Sequence, residues 1–373
     1  MLFVLFGALA SPQAPTAPPV ATPPQAAQPA TPLDWFRRAD NLTNIRMPES
    51  PSFHMKVAFH AFPGYDFTKP GKSTIVTGDG TYEETWVSTE KWRREVTLGD
   101  YHAVEVRADG VRKFQASSDY EPSRVLMLMN ALLYPMPRYL LEPEIQERHI
   151  KWKLEHLTAG TLPYVNITFT EGYYGPRPRS YEFLPNGILV RSEDYNGLMA
   201  SWQGQAVFGG KLVPRHFEVQ GAGLEGKMVT ADLNIEPLGN LDPALFRIPG
   251  DAADPGTTLR PFDDVDLEVA PPIHFQVPER WSTVNPTIDT PPNVQIYTIA
   301  VIDRQGMPRE AEMSGIRRFG QPVSTAEFGA LSTVARHAID SLWMDRYHPT
   351  LIDGKPCQFV MSLTVWTTPT IHN

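Results

Sequence analysis

Gly71-Lys72-Ser73 ends like a phosphate-binding loop, in which wrapped backbone amides and a lysine hold a phosphate. Such a loop needs an earlier glycine five residues before the second one. Asp66 stands there, and Gly64 comes two residues too soon, so the backbone could not wrap a phosphate. Asp263, Asp264, Asp266 and Glu268 could offer oxygens to calcium, but the glycine and bidentate glutamate of an EF-hand are missing. A solvated acidic connector is the plainer reading. The ten histidines form no His-x-His, no His-Glu-x-x-His and no Cys/His pair at zinc spacing. His54 and His60 share one strand and, by parity, its wetter face. Cys357 is the single cysteine, so one chain offers no disulfide framework, zinc cluster or Cys-x-x-Cys pair, and its place inside a strand reads as a buried thiol. No Gly-x-Ser-x-Gly elbow occurs. The expectation is a protein with no cofactor, no metal and no enzymatic activity, an uncharacterised hydrolase being the alternative from that class.

The elements that would position any site follow from composition. At 373 residues the chain is too long for one ordinary core and predicts two domains with linkers. A net charge of −9, spread along the chain, offers no basic footprint for nucleic acid. The 37 prolines disfavour an α-rich fold and point to linkers and many short strands.

The run Met1 to Ala10 is apolar and closes on Ala8-Leu9-Ala10, the form of a secretory signal peptide. No basic residue precedes it, which predicts a start codon upstream of Met1. The run is about half the length of a membrane-spanning helix, and membrane association stays open. Residues 11–33 are almost wholly Pro, Ala, Thr, Gln and Val, a polyproline-like tether. Export to the periplasm or cell envelope is expected.

A first domain is expected over 34–250. Asp34 is placed as the cap of a short helix through Thr43. The strand from Phe53 to Phe62 alternates Phe53, Met55, Val57 and Phe59 with His54, Lys56, Ala58 and His60. Further strands are expected at Ser73–Val87, Lys91–Thr97 and Tyr101–Arg107. A second set falls at Trp152–Leu157, Tyr164–Thr170, Ser180–Leu184, Ile188–Tyr195, Ser201–Phe208, Lys211–Gln220 and Lys227–Glu236. Between the sets, Ser123 to Tyr134 is apolar on nearly every side, a helix that must be packed into a concavity. Its residues Val125, Leu126, Leu128, Met129, Leu132 and Leu133 either plug the sheet as core or border a cavity for a lipid or acylated ligand. The expected fold is mainly β, a curved antiparallel half-barrel sheet with an apolar helix in its concavity.

This order resembles the LolA and LppX type of half-barrel. The likeness also rests on the Asp109-Gly110 turn and on the ending Asp242, Pro243, Phe246 and Pro249. The resemblance implies acyl chains or envelope partners held between the sheet and helical lids.

Residues 251–291 read as a Pro-, Asp- and Thr-rich connector. The last domain, 292–373, is expected to be α+β, a small antiparallel sheet on one helix. Val294 to Ile302 is a strand. Phe328, Leu331, Ala335, Ala338, Ile339 and Leu342 make a helical stripe between Thr325 and Trp343. Phe359, Met361, Leu363 and Val365 then alternate toward Trp366 in a final strand. The turn Asp303 to Gly306, the helix leading to Trp343 and Pro349, and the turn Gly354, Lys355, Pro356 resemble, in order and spacing, the C-terminal domain of the TonB family. The resemblance implies that the edge strand, Phe359, Met361, Leu363, Val365 and Trp366, pairs an extended peptide of an envelope protein. The physics is that of an unpaired sheet edge. The sequence therefore predicts a non-enzymatic periplasmic binding protein pairing a peptide at that edge. The alternative is a lipid or lipoprotein carrier using the concave face of the first domain.

Overall fold

The structure, a computed structural model, describes residues 29, 31–65, 75–133, 135–136, 150–160, 162–171, 178–194, 197–224, 226–247, 250, 252–253, 294–318, 323–344, 347, 350–352 and 355–366. The phosphate-loop remnant, the acidic run at 263–268, the signal run and nearly all of the tether and connector lie outside them.

Helix α1 spans Pro32–Thr43. Its cap is Thr31, whose side chain receives the Asp34 amide at 3.3 Å while the Asp34 carboxylate accepts the Thr31 amide at 3.2 Å. Asp34 is therefore the acidic half of a capping box and not the cap itself, because Pro32 is already helical. The helix buries Trp35, Phe36 and Ala39, and Phe36 meets Tyr181 and Phe183 edge-on at 5.0 and 5.4 Å.

Strands β1 (Phe53–Ala61), β2 (Gly78–Ser88), β3 (Lys91–Leu98), β4 (Tyr101–Ala108) and β5 (Val111–Ala116) form an outward meander. The alternation in β1 is as expected, with Phe53, Met55, Val57, Phe59 and Ala61 buried. Strand β5 is an addition to the expected set. Asp109 and Gly110, at φ 52° and 74°, make a two-residue hairpin that pairs Ala108 with Val111, so a polar segment continues the sheet.

Helix α2 (Ser123–Leu133) follows, then β6 (Ile150–Ala159), β7 (Leu162–Glu171), β8 (Pro178–Phe183), β9 (Leu189–Glu193) and β10 (Leu198–Gln203). The runs expected as single strands at 201–208 and 211–220 are each divided. Gly204, at φ 65°, turns the first, and Pro214 breaks the second. The pieces are β10, a side hairpin of β11 (Ala206–Phe208) and β12 (Lys211–Val213), and β13 (His216–Gly221). Strand β14 (Lys227–Pro237) then pairs, through Val229–Pro237, with every residue of β1. A 3-10 turn at Pro243–Phe246, capped by Asp242, seats Phe246 against Val106 and Ala108.

The result is one twelve-stranded antiparallel sheet in the order β5-β4-β3-β2-β1-β14-β13-β10-β9-β8-β7-β6. The chain builds outward from β1 to one edge, crosses with α2 to the far edge and walks back to β1. The protein is thus mainly β, with few helices and a small separate sheet.

That small sheet has the order β16-β15-β19, formed by β15 (Val294–Ile302), β16 (Pro308–Arg318) and β19 (Phe359–Trp366). Helix α3 (Thr325–Met344) lies on it through Leu331, Ala335, Ala338, Ile339 and Leu342. A hairpin of β17 (Thr350–Ile352) and β18 (Lys355–Cys357) precedes β19. Strand β16 is not anticipated by apolar alternation, because its Glu310 and Glu312 read as solvent residues. Both are buried. All nine residues of β15 are buried as well, since α3 covers one face and the large body the other. One hydrophobic core runs without a break from Phe53, Tyr82 and Val125 to Ile296, Met313 and Leu331.

Candidate functional site

Helix α2 fills the concave side of the large sheet and is gripped at its start by the small one. Arg124, fully buried, donates from both terminal nitrogens to the Glu312 carboxylate, one contact at 2.8 Å, and from Nε to the Phe62 carbonyl at 2.8 Å. The Ser123 amide donates to Glu310 at 2.8 Å. Gln358 accepts the Glu121 amide at 2.6 Å and returns its own amide to the Glu121 carbonyl at 2.9 Å. The Ser123 amide, the first of the helix and without a partner within it, is thereby met by a side chain far along the chain, as is the Glu121 amide just before the helix. Burial pushes the Glu310 carboxyl up to about 7, against the lowering effect of the Ser123 bonds and Arg124.

The other end of α2 borders a cleft of about 80 Å³. Leu132, Leu133 and Met136 form one wall, and Met55, Trp202, Phe217 and Leu233 form the sheet side. Asp40, Thr43, Asn44, Arg46 and Gln205 are the polar members of its lining. The Trp202 indole donates to the Ala131 carbonyl at 3.1 Å, which fixes the ring against the helix and separates the cleft from a smaller void of about 40 Å³ beside Met127 and Asn130.

Beside the cleft, Arg46 reaches down to Glu84 on β2, with Nε 3.0 Å from each carboxylate oxygen. Arg94 of β3 donates to the same carboxylate at 3.0 Å and stacks over Trp92 at 4.2 Å. Burial by itself would raise the Glu84 carboxyl, but the charges of Arg46 and Arg94 hold it at about 2. The adjacent Tyr82 hydroxyl is driven well above its usual range by burial and by Glu84. Paired with two guanidinium groups, the Glu84 carboxylate holds the site's wall and is not itself free to act as a base. Among the described residues no group of three or more His, Cys, Asp or Glu could hold a metal ion.

The residues singled out from the sequence are distributed as follows. Leu132 and Leu133 line the cleft, whereas Val125, Leu126 and Leu128 are buried in the continuous core and Met129 packs half-buried against it. Asp303 is fully buried and ties its turn by accepting the Gln305 and Met307 amides at 2.8 and 2.9 Å. Gly306, at φ 79°, passes so close to Tyr347 that a Cβ would lie 1.8 Å from its carbonyl oxygen. Trp343 and Tyr347 both pack half-buried against the small core of Ile302, Ile339, Leu342 and Phe359. Lys355 and Pro356 lie in β18, while Pro349 and Gly354 fall outside the described residues. Phe359 and Met361 are buried, and the side chains of Leu363, Val365 and Trp366 lie outside those described. Strand β19 stands at the end of its sheet, paired to β15 alone among the described strands. His54 and His60 point outward toward Glu83, Glu236 and Asp79.

Sequence reasoning passes over Arg46, Glu84, Arg124, Glu310, Glu312 and Trp202. A signal exists for one of them: Glu84 sits at the apolar parity of β2, between Tyr82 and Trp86.

No family model matches the chain, and no curated protein matches it. Among solved structures it is similar to a LolA superfamily protein from Nitrosomonas europaea, at 11% identity and a TM-score of 0.31, over 57% of this chain and 96% of that one. It is also similar to a DUF1329 family protein from Desulfovibrio piger, at 11% identity and a TM-score of 0.33, over 58% and 95%. A putative outer membrane lipoprotein-sorting protein domain from Vibrio parahaemolyticus is similar at 7% identity and a TM-score of 0.34, over 57% and 95%. No helix among the described residues is long and apolar enough to cross a membrane.

Proposed function

We propose that this chain is a non-enzymatic binding protein of the cell envelope that carries an apolar ligand, a lipid or the acyl chain of a lipoprotein, on the concave side of its large sheet. The observation that carries this reading is the cleft itself: an apolar interior of Leu132, Leu133, Met136, Phe217 and Leu233, with Asp40, Asn44 and Arg46 among its polar members. Such a division suits a ligand with a hydrocarbon tail and a polar head. The cleft holds the end of one chain, and uptake of a longer one displaces the end of α2 while the Arg124–Glu312 pair holds its start. The test is extraction of the purified full chain with organic solvent, followed by mass spectrometry, together with titration of a fluorescent fatty acid. Co-purified acyl species or saturable binding is the expected result. A lipid-free protein with no saturable uptake sinks the reading.

A second reading rests on a different observation. Strand β19 is at the end of the small sheet among the described strands, and an edge of this kind offers its outer backbone groups to an extended peptide, as the TonB-like resemblance implies. A photo-crosslinking residue in place of Thr364 should then capture an envelope protein in living cells, and the adduct should map to an extended segment of it. Crosslinks that fall only within the chain itself count against peptide pairing.

A further inference from the structure

Away from the apolar cleft and the small void beside it, a separate cavity of about 250 Å³ lies between the β5 edge of the large sheet and the turn after β15. Its walls come from four places in the chain. Tyr101 belongs to β4, Phe114 to β5, Glu121 to the segment entering α2, and Arg304 to the Asp303–Gly306 turn. Ala253 closes it by exchanging two backbone hydrogen bonds of 2.7 Å with Phe114.

Three polar groups in this lining have no hydrogen-bond partner among the described residues. The Tyr101 hydroxyl and the Arg304 Nε are buried and have no hydrogen-bond partner among the described residues. Glu121 is only 7% exposed, and Gln358 engages its backbone, leaving the carboxyl without a hydrogen bond among the described residues. Buried groups of this kind are rare in native proteins, and each implies an occupant or a use. The neighbouring acids do not serve Arg304, because Asp303 and Asp119 are both taken by Arg309, at 2.6 and 2.9 Å.

We propose that this cavity binds a small zwitterion of amino-acid or dipeptide size, its carboxylate on Arg304 and its ammonium group on Glu121 and the Tyr101 hydroxyl. A simple anion would satisfy Arg304 and leave Glu121 unmet. A simple cation would do the reverse and face Arg304. Only a ligand carrying both charges meets both groups, and Phe114 and Ala253 supply an apolar wall for its side chain. Volume agrees, since the space is below that of drug-sized pockets and well above that of a single water.

The site also has a proton signature. Burial, with a smaller contribution from the Glu105 charge, pushes the Glu121 carboxyl up to about 8, so in the empty cavity at neutral pH it carries a proton. The same burial, with Glu121 and Glu105, holds the Tyr101 hydroxyl protonated. Receiving an ammonium group favours the carboxylate, and the Glu121 proton leaves to solvent.

The test uses the full chain. The common L-amino acids and L-alanyl-L-alanine are screened singly by thermal shift, with acetate and methylammonium as single-charge controls. Hits are titrated calorimetrically at neutral pH in phosphate and in Tris. At least one zwitterion should bind saturably, with a heat that differs between the buffers by release of about one proton. Neither control should bind. Arg304→Ala and Glu121→Gln should each weaken binding about tenfold or more, as loss of a charge-assisted contact requires. Arg304 is half-exposed and Gln preserves the shape of Glu121, so both variants keep the fold. No zwitterion binding, equal binding of acetate, or unchanged affinity in both variants overturns the proposal.

Discussion

Arg124 on α2 and Glu312 on β16 form a two-pronged ion pair across 188 residues of sequence, with side chains 0% and 1% exposed. The pair fastens the helix inside the large sheet to the small sheet outside it. Each charge is tolerable in the interior because the other is there. Gly64 passes directly over it, where a Cβ would lie 2.3 Å from Glu312 and 2.4 Å from Arg124.

Removing one partner should therefore cost far more than replacing both. Arg124→Met or Glu312→Leu alone is expected to destabilise the protein by about 3–5 kcal/mol, and the double variant combining them by clearly less than the sum. Urea denaturation of the four proteins checks this; additive losses in the double variant refute the coupling.

Gly64→Ala attacks the same pair from the backbone. Gly64 has φ 64°, a conformation that a side chain strains, and the added methyl displaces the Arg124–Glu312 contact. A loss of about 1–3 kcal/mol is expected. An unchanged midpoint in denaturant contradicts the geometry.

Acid should weaken the wall behind the cleft. The Glu84 carboxyl stands at about 2 in the folded protein, below its unfolded value, so its contribution is complete above pH 4.5 or so and is lost as pH falls toward 2. Glu84→Gln should lower stability at neutral pH and flatten that acid limb. Parallel acid limbs in wild type and variant count against it.

Glu121 and Glu310 work in the opposite direction. Their carboxyls stand at about 8 and about 7, above the unfolded value, so the folded chain holds protons that the unfolded chain has released. Stability from these groups is complete below about pH 4.5 and is lost as pH rises through 7 and 8, at up to about 1.4 kcal/mol per unit and per group. The melting temperature should be higher near pH 5.5 than near pH 8.5. Combining Glu121→Gln with Glu310→Gln should reduce that difference, and a difference left unchanged assigns it elsewhere.

Filling the cleft should abolish uptake of an apolar ligand without unfolding the protein. Leu132→Trp places an indole in the space bordered by Met55 and Phe217. Loss of fatty-acid binding with a melting temperature within a few degrees of wild type is expected, overpacking costing about 1–3 kcal/mol. Undiminished binding places the ligand elsewhere.

Strong period-two alternation in β1, β3 and β4, the apolar run that becomes α2, and the stripe that becomes α3 were all legible from residue types. Local geometry accounts for that, because burial of one face writes itself into a short stretch of chain. The Asp303–Gly306 turn was legible for the same reason, as an acid that accepts nearby amides and a glycine that takes positive φ. Leu132 and Leu133 were within reach as cavity residues, since any helix so apolar must border the interior.

Tertiary structure alone decided the rest. Residues Glu310 and Glu312 look like surface charges until α2 brings Ser123 and Arg124 against them. The two cavities are formed by side chains from segments far apart in sequence, and no local pattern encodes such a meeting. Strand-forming and helix-forming tendencies are properties of neighbours along the chain, and they sufficed for β1, β3, β4, α2 and α3, though not for β5 or β16. Which face meets which, and which charge is left with or without a partner, depends on how the large and small sheets close around α2.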